Sequence, residues 1–162
     1  MSLDALRETL PAYAKDLSLN LSTLAGETLL TDQQKWGAFV ATAHATGCGP
    51  VIRALDGAAR QAGLSDEALS AAKSAAAIMG MNNVYYRSLH LMQNQEYRTL
   101  PARLRMTVIA NPGVDKTDFE MWCAAVSGAV IGSRGSRSRS PSGRRPTPPC
   151  PRSGRGTASR SC

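Results

Sequence analysis

Between Ser133 and Cys162 the chain contains no Leu, Ile, Val, Met or aromatic residue, and Arg, Ser, Pro and Gly fill 25 of the 30 positions. Such a segment buries no apolar area against an ordering cost of roughly 1–2 kcal/mol per residue, so it cannot build a core. Disorder is expected from about Ser133 onward. Whatever folds must fold within residues 1–132, and the chain divides into that domain and a low-complexity basic tail over 133–162.

Charge changes at the same boundary. The formal net charge is +7, yet the tail holds eight Arg with no Lys and no acid, leaving the body 11 basic and 12 acidic side chains. An arginine tail can neutralise phosphates and bind nucleic acid in a salt-sensitive way. This one has neither aromatic side chains for base stacking nor any Lys, so nucleic acid is not the expected partner. No stretch approaches the ~20 apolar residues of a membrane span, and MSLDALRETLPAYAKD lacks the apolar centre of a secretion signal. A soluble, cytoplasmic protein is expected, with no membrane partner. Cys48, Cys123, Cys150 and Cys162 share no C-x-x-C or zinc-like spacing, so neither a disulfide framework nor a metal site is implied.

Within the body, β-branched residues are sparse relative to Ala and Leu, few runs alternate, and helix punctuation recurs. The fold class is all-α. Ser2 can cap a helix through Leu10, and Pro11 suits the start of the next, around Ala12 to Leu17. Thr31 and Gln34 form a T-x-x-Q capping box for a helix that Gly47 can close. Val51 to Ala62 follows, stopped by Gly63. Ser65 opens the longest helical pattern, with Asp66 and Glu67 where the helix dipole favours acids, and Gly80 and Asn82-Asn83 are candidate points for a break or bend in it. Pro101 to Asn111 reads as a shorter apolar helix. Thr117 and Glu120 form a T-x-x-E box for the last helix, whose Phe119, Trp122, Cys123 and Val126 share a face, and the pattern fails after Ile131. The many small residues of SAAKSAAAIMG fit either close helix approach in an oligomer or an ordinary Ala-rich helix.

Few residues offer chemistry on spacing alone. Glu120 is a carboxylate at the edge of an apolar face, suited either to proton transfer or to closing the capping box. His44 and His90 have no metal partner one turn away and read as structural. Cys48 and Cys123 are singletons, for which a buried thiol behaving as a small hydrophobe is the commoner case. Met79, Met81, Met92 and Met106 read as core filler, and Asn82-Asn83 as either a backbone cap or a partner-facing patch.

Four stretches, LPAYAKDLSLNLS (10–22), AAAIMGMNNVYYR (75–87), LRMTVIANPG (104–113) and FEMWCAAVS (119–127), resemble in order and distance the alkyl hydroperoxide reductase AhpD family. The resemblance covers about residues 1–130. It implies an all-helical, usually trimeric protein of the carboxymuconolactone-decarboxylase-like superfamily, an antioxidant enzyme without bound cofactor. It further implies reduction of alkyl hydroperoxides by a redox-active cysteine pair and regeneration of the peroxiredoxin AhpC. The reductant would be the lipoyl group of a dihydrolipoamide acyltransferase served by lipoamide dehydrogenase. By the same resemblance Glu120 is half of a proton relay completed by a histidine just after the cysteines, a role compatible with capping.

The family pattern is roughly N-G-C-x-x-C-x-x-x-H-E soon after the A-V-S element. Counted from Glu120, the cysteine positions fall on Gly132 and Gly135, or, with one inserted residue, on Ser133 and Ser136. Neither register holds sulfur, and no histidine follows His90. Serine cannot replace the pair, because a hydroxyl is un-ionised near neutral pH and has no disulfide chemistry. Cys150 and Cys162 lie in the tail with eleven residues between them, and the closing helices of the family are missing. Three readings follow: a frameshift or sequencing error between about Ser127 and Ser133, a degenerate paralogue acting as a non-catalytic interaction protein, or a protein whose basic tail binds nucleic acid. This chain is expected to be inactive as a peroxidase.

Overall fold

A computed structural model describes residues 2–137, with side-chain surroundings through Val130, and contains helices and turns with no strand among those residues. Helix α1 (Leu3–Glu8) is capped by Ser2, whose hydroxyl accepts from the Ala5 amide. After Pro11 a 3-10 turn, Ala12–Ala14, leads into α2 (Lys15–Ala25), which runs well beyond the expected Leu17 and buries none of its residues. Helix α3 (Asp32–Thr46) has the expected capping box, the Thr31 hydroxyl accepting from the Gln34 amide and the Gln34 side chain accepting from the Thr31 amide. Gly47 closes it at φ 69°, where an L side chain would be strained.

Helix α4 (Gly49–Gln61) turns back along α3 and presents Ala54, Leu55, Ala58 and Ala59 to the core. Ser65 then caps α5 (Asp66–Leu91), its hydroxyl accepting from the Ala68 amide. Neither Gly80 nor Asn82-Asn83 interrupts this helix. Its backbone bonds tolerate both, since one Gly costs only about 1 kcal/mol relative to Ala. The buried residues of α5 all lie between Ala68 and Ala76.

The expected helix over Pro101 to Asn111 is largely absent. Two single turns, α6 (Glu96–Thr99) and α7 (Thr107–Ala110), flank an irregular stretch in which Arg103 has φ 49°. So short a helix gains too few hydrogen bonds to offset nucleation unless packing holds it. Only Val108 and Ile109 reach the core from this segment. The connection returns along α5 to its beginning, where Val108, Pro112 and Gly113 line a cleft with Asp66, Glu67 and Ser70.

Helix α8 (Lys116–Arg137) packs on α3 and α5. Phe119, Trp122, Val126 and Val130 are buried, at the spacing of one helical stripe. With Val40 and Ala41 of α3 and the alanines of α5 they form one core. The helical backbone continues to Arg137, five residues past the expected boundary at Gly132, although Gly132 and Gly135 each disfavour a helix by about 1 kcal/mol relative to Ala. The rest of the tail expected to be disordered, residues 138–162, lies outside the described residues.

Candidate functional site

Helix α8 carries Glu120, so the site is built from its first turn. Asp115, not Thr117, is the cap: its Oδ1 accepts from the amides of Thr117 at 2.8 Å and Asp118 at 3.3 Å. Thr117 therefore sits inside the helix, and the expected Thr117–Glu120 capping box does not form. A carboxylate before the first turn satisfies two orphan amides and meets the positive end of the helix dipole, which leaves no amide for Thr117 to cap.

Asp118 is the buried carboxylate of this turn. It accepts from Gln33 Nε2 at 2.7 Å and Gln34 Nε2 at 2.8 Å. One turn on, Trp122 Nε1 donates to the Gln34 carbonyl at 3.0 Å. Gln34 thus caps α3 and clamps α8 through both its side chain and its backbone, fixing how α8 is rotated against α3.

That rotation turns Glu120 outward. Its side chain is 63% exposed and its nearest charge is Lys116 Nζ, at 3.7 Å and one turn back. Cys123, the next residue along that side, is a free, partly buried thiol whose pKa is pushed up by burial and, secondarily, by the negative charge of Glu120. This is the reverse of the electropositive setting that makes a reactive thiolate. Ser127 continues the line, donating to the Cys123 carbonyl at 2.9 Å and accepting from Asn83 Nδ2 of α5 at 3.4 Å. Asn82, the residue before Asn83, has a buried Oδ1 with no hydrogen-bond partner among the described residues.

Glu120 and Cys123 are thus brought together, whereas Glu120 and the positions where the resemblance puts the cysteine pair are not. Along the continuous backbone of α8, Gly132 and Gly135 stand about 18 and 22 Å from Glu120, and Ser133 and Ser136 about 20 and 24 Å, at a rise of about 1.5 Å per residue. Cys48, exposed at the start of α4, is remote in sequence and also free. Cys150 and Cys162 lie outside the described residues. No group of His, Cys, Asp and Glu suited to a metal occurs among the described residues.

A second cluster joins three helices. His44 Nε2 of α3 lies 3.1 Å from Asp56 Oδ1 of α4, and Lys73 Nζ of α5 lies 3.0 Å from Asp56 Oδ2. Burial alone would raise the Asp56 pKa, but the bonds from Lys73 and His44 outweigh it and hold the carboxyl below its usual value. His44 has the expected structural role. The His90 carbonyl accepts from Arg98 at 3.3 Å.

Among curated proteins, an alkyl hydroperoxide reductase AhpD of Maricaulis maris is 63% identical over 127 residues, spanning 78% of this chain and 73% of that protein. The chain belongs to the alkyl hydroperoxide reductase AhpD family. Proteins of the same name from Hyphomonas neptunium and Brucella suis are 58% and 56% identical over 127 and 128 residues, covering 70% and 72% of their lengths. No family model matches the chain. Membership makes this an oxidoreductase family by name, and no helix among the described residues is long and apolar enough to cross a membrane.

Sequence reasoning put Trp122 on the apolar face of the last helix and found the α3 capping box of this AhpD-family body, but missed Asp115 and Asp118. The signal for both was the run Val114-Asp115-Lys116-Thr117-Asp118, a D-x-x-D that competes with T-x-x-E for the same turn. Asp56 and Lys73 gave no local signal, since they meet His44 only once three helices have packed.

Proposed function

We propose that this chain carries the body of an AhpD-type, lipoyl-dependent alkyl hydroperoxidase and, for want of the cysteine pair, does not itself reduce peroxide. One observation carries the reading: 56–63% identity over 127–128 residues is joined to a remainder with neither a C-x-x-C nor a histidine. In the complete reaction a thiolate attacks the peroxide, the O–O bond breaks, and the alkoxide leaves as alcohol after taking a proton. The resulting sulfenic acid loses water to the second thiol, forming a disulfide that a dihydrolipoyl group reduces with its two electrons and two protons.

Each of those steps needs sulfur that this chain lacks at the required place. Cys123 is no substitute, being a single thiol kept protonated by burial and by Glu120. In the proposal Glu120 is the surviving half of the proton relay, and its outward, solvated position suits exchange of protons with water. Cytoplasmic location, a homotrimer, no bound cofactor, AhpC as recipient of electrons, and a lipoylated acyltransferase with lipoamide dehydrogenase as their source all belong to the same reading.

The proposal explains the tail as a shifted reading frame. Loss of the apolar pattern after Ile131, basicity carried by Arg alone, and the missing sulfur pair all fall at one boundary. Sequencing the encoding DNA across codons 120–162 tests this, the expected result being that another frame reads C-x-x-C-x-x-x-H-E and continues into apolar helices. If none does, the chain is a degenerate paralogue. Purified protein is expected to show the same background rate as its Glu120→Gln variant with an alkyl hydroperoxide and dihydrolipoamide. Turnover that depends on Glu120 would overturn the assignment of inactivity.

A further inference from the structure

Helices α5 and α8 run the same way. Pro112 and Gly113, which lead into α8, line a cleft with the start of α5, and Ser127 further along α8 bonds Asn83 further along α5. Beyond that bond α5 continues eight residues to Leu91 and α8 ten to Arg137, about 12 and 15 Å of helix. Both therefore end at the same pole of the molecule. Charge is sorted along this axis: the helix starts carry Asp66, Glu67, Asp115 and Asp118, whereas from Val84 to Arg105 there are four Arg and a single acid, Glu96.

Arg87, Arg98, Arg103 and Arg105 are all exposed, and no carboxylate pairs with any of them among the described residues. Arg98 is accounted for by the helix end, since it donates to the carbonyls of Leu89 and His90 at 3.4 and 3.3 Å, as cations do at a C-terminus. The other three side chains make no hydrogen bond or ion pair among the described residues. Two exposed tyrosines stand among these cations. Tyr86, 53% exposed, shares a stripe of α5 with Asn83, Arg87 and His90, at the i, i+3, i+4, i+7 spacing of one helix side. Tyr85 braces its ring edge-on, with centroids 5.2 Å apart. Tyr97, 48% exposed, sits on the turn that Arg98 ties to the end of α5.

We propose that the C-terminal end of α5, with the turn that follows it, binds single-stranded nucleic acid. Arg87 and Arg98 hold phosphates, and Tyr86 and Tyr97 stack on bases. Charge alone would admit any polyanion, but exposed rings set beside cations favour one whose bases are unpaired. The residues that follow α8 add six Arg and no acid. They lack aromatic side chains, which the end of α5 supplies. The inference goes beyond the peroxidase reading and needs neither the cysteine pair nor Glu120.

The test titrates a fluorescein-labelled oligothymidylate of about 20 nucleotides, long enough for one such site, with the full chain and reads fluorescence anisotropy. Binding is expected at about 50 mM salt and should weaken steeply toward about 200 mM. Tyr86→Ala is expected to lower the affinity about fivefold or more while keeping the salt dependence, as loss of a stacked base does. Arg87→Gln should lower both the affinity and the salt dependence, the slope of log affinity against log salt falling by about 0.7 for one phosphate. Both side chains are exposed, so both variants fold, as far-UV circular dichroism will verify. Absence of binding at the lower salt, or undiminished affinity in either variant, would overturn the proposal. Equal affinity for a duplex of the same length would overturn it as well, and equal affinity for poly-L-glutamate would do so in favour of an acidic protein surface.

Discussion

The indole of Trp122 lies against the backbone of Gly37, so close that a methyl group on Gly37 would overlap the ring atoms Cζ2 and Cε2. Trp122 is fully buried and its Nε1 is tied to the Gln34 carbonyl, so the ring cannot withdraw without breaking a hydrogen bond. Gly37→Ala would ordinarily stabilise a helix interior by about 1 kcal/mol. Here overpacking dominates, and the variant is expected to lose about 1–3 kcal/mol net of stability. Urea denaturation followed by tryptophan fluorescence measures it, and a more stable variant would show that the ring has room to move.

Asp118 holds two glutamine amides of α3 at once. Asp118→Ala strands both donors in a largely closed site and is expected to cost about 1–3 kcal/mol. Asp118→Ala combined with Gln33→Ala and Gln34→Ala should cost less than the sum of the single changes, because the donors left unpaired by the first are removed by the others. Additive losses would mean that the clamp contributes nothing as a unit.

The Asp56 carboxyl, held below its usual 3.8 by Lys73 and His44, stabilises the fold in its charged form. Its contribution is complete above the unfolded value, near pH 4, and is lost as pH falls through the lower folded value. Asp56→Asn is therefore expected to be less stable than the parent at pH 6, with the difference shrinking below pH 4. Denaturation midpoints across pH 2–6 for both proteins provide the check, and a gap that is constant with pH would remove the carboxylate as its source.

Much of this fold was legible because it depends on neighbours in sequence. Ser2, Ser65 and the Thr31–Gln34 box mark helix starts with hydroxyls that reach only their own first turn, and Phe119, Trp122 and Val126 show their common face by spacing alone. What stayed hidden depends on distant partners. Asp56 meets His44 and Lys73 from two other helices, and Gly37 reads as a propensity defect until Trp122 is set upon it. The helix expected over 101–111 failed for the complementary reason, its pattern being right but only Val108 and Ile109 finding a core to join.

Cys123 gives a direct reading of the field around Glu120. Burial, and then the Glu120 charge, raise its pKa above the usual 9.0, so alkylation in a background where the other three cysteines are Ser should be half-maximal above pH 9. Glu120→Gln is expected to move that midpoint down while leaving it above the ordinary value, since burial is the larger cause. An unmoved midpoint would mean that Glu120 is screened from the thiol by solvent.

Restoring sulfur alone should not restore chemistry. Gly132→Cys with Gly135→Cys puts two thiols one turn apart, but on a backbone that stays helical to Arg137. They stand about 18 and 22 Å along the axis from Glu120, beyond any single proton transfer, for which a group must come within about 3 Å or one bridging water. No histidine follows to complete a relay. The double variant is therefore expected to reduce an alkyl hydroperoxide with dihydrolipoamide no faster than the same variant carrying Glu120→Gln. A Glu120-dependent rate would require α8 to break before Gly132 and fold the cysteines back toward the carboxylate, which a helix continuous to Arg137 does not allow.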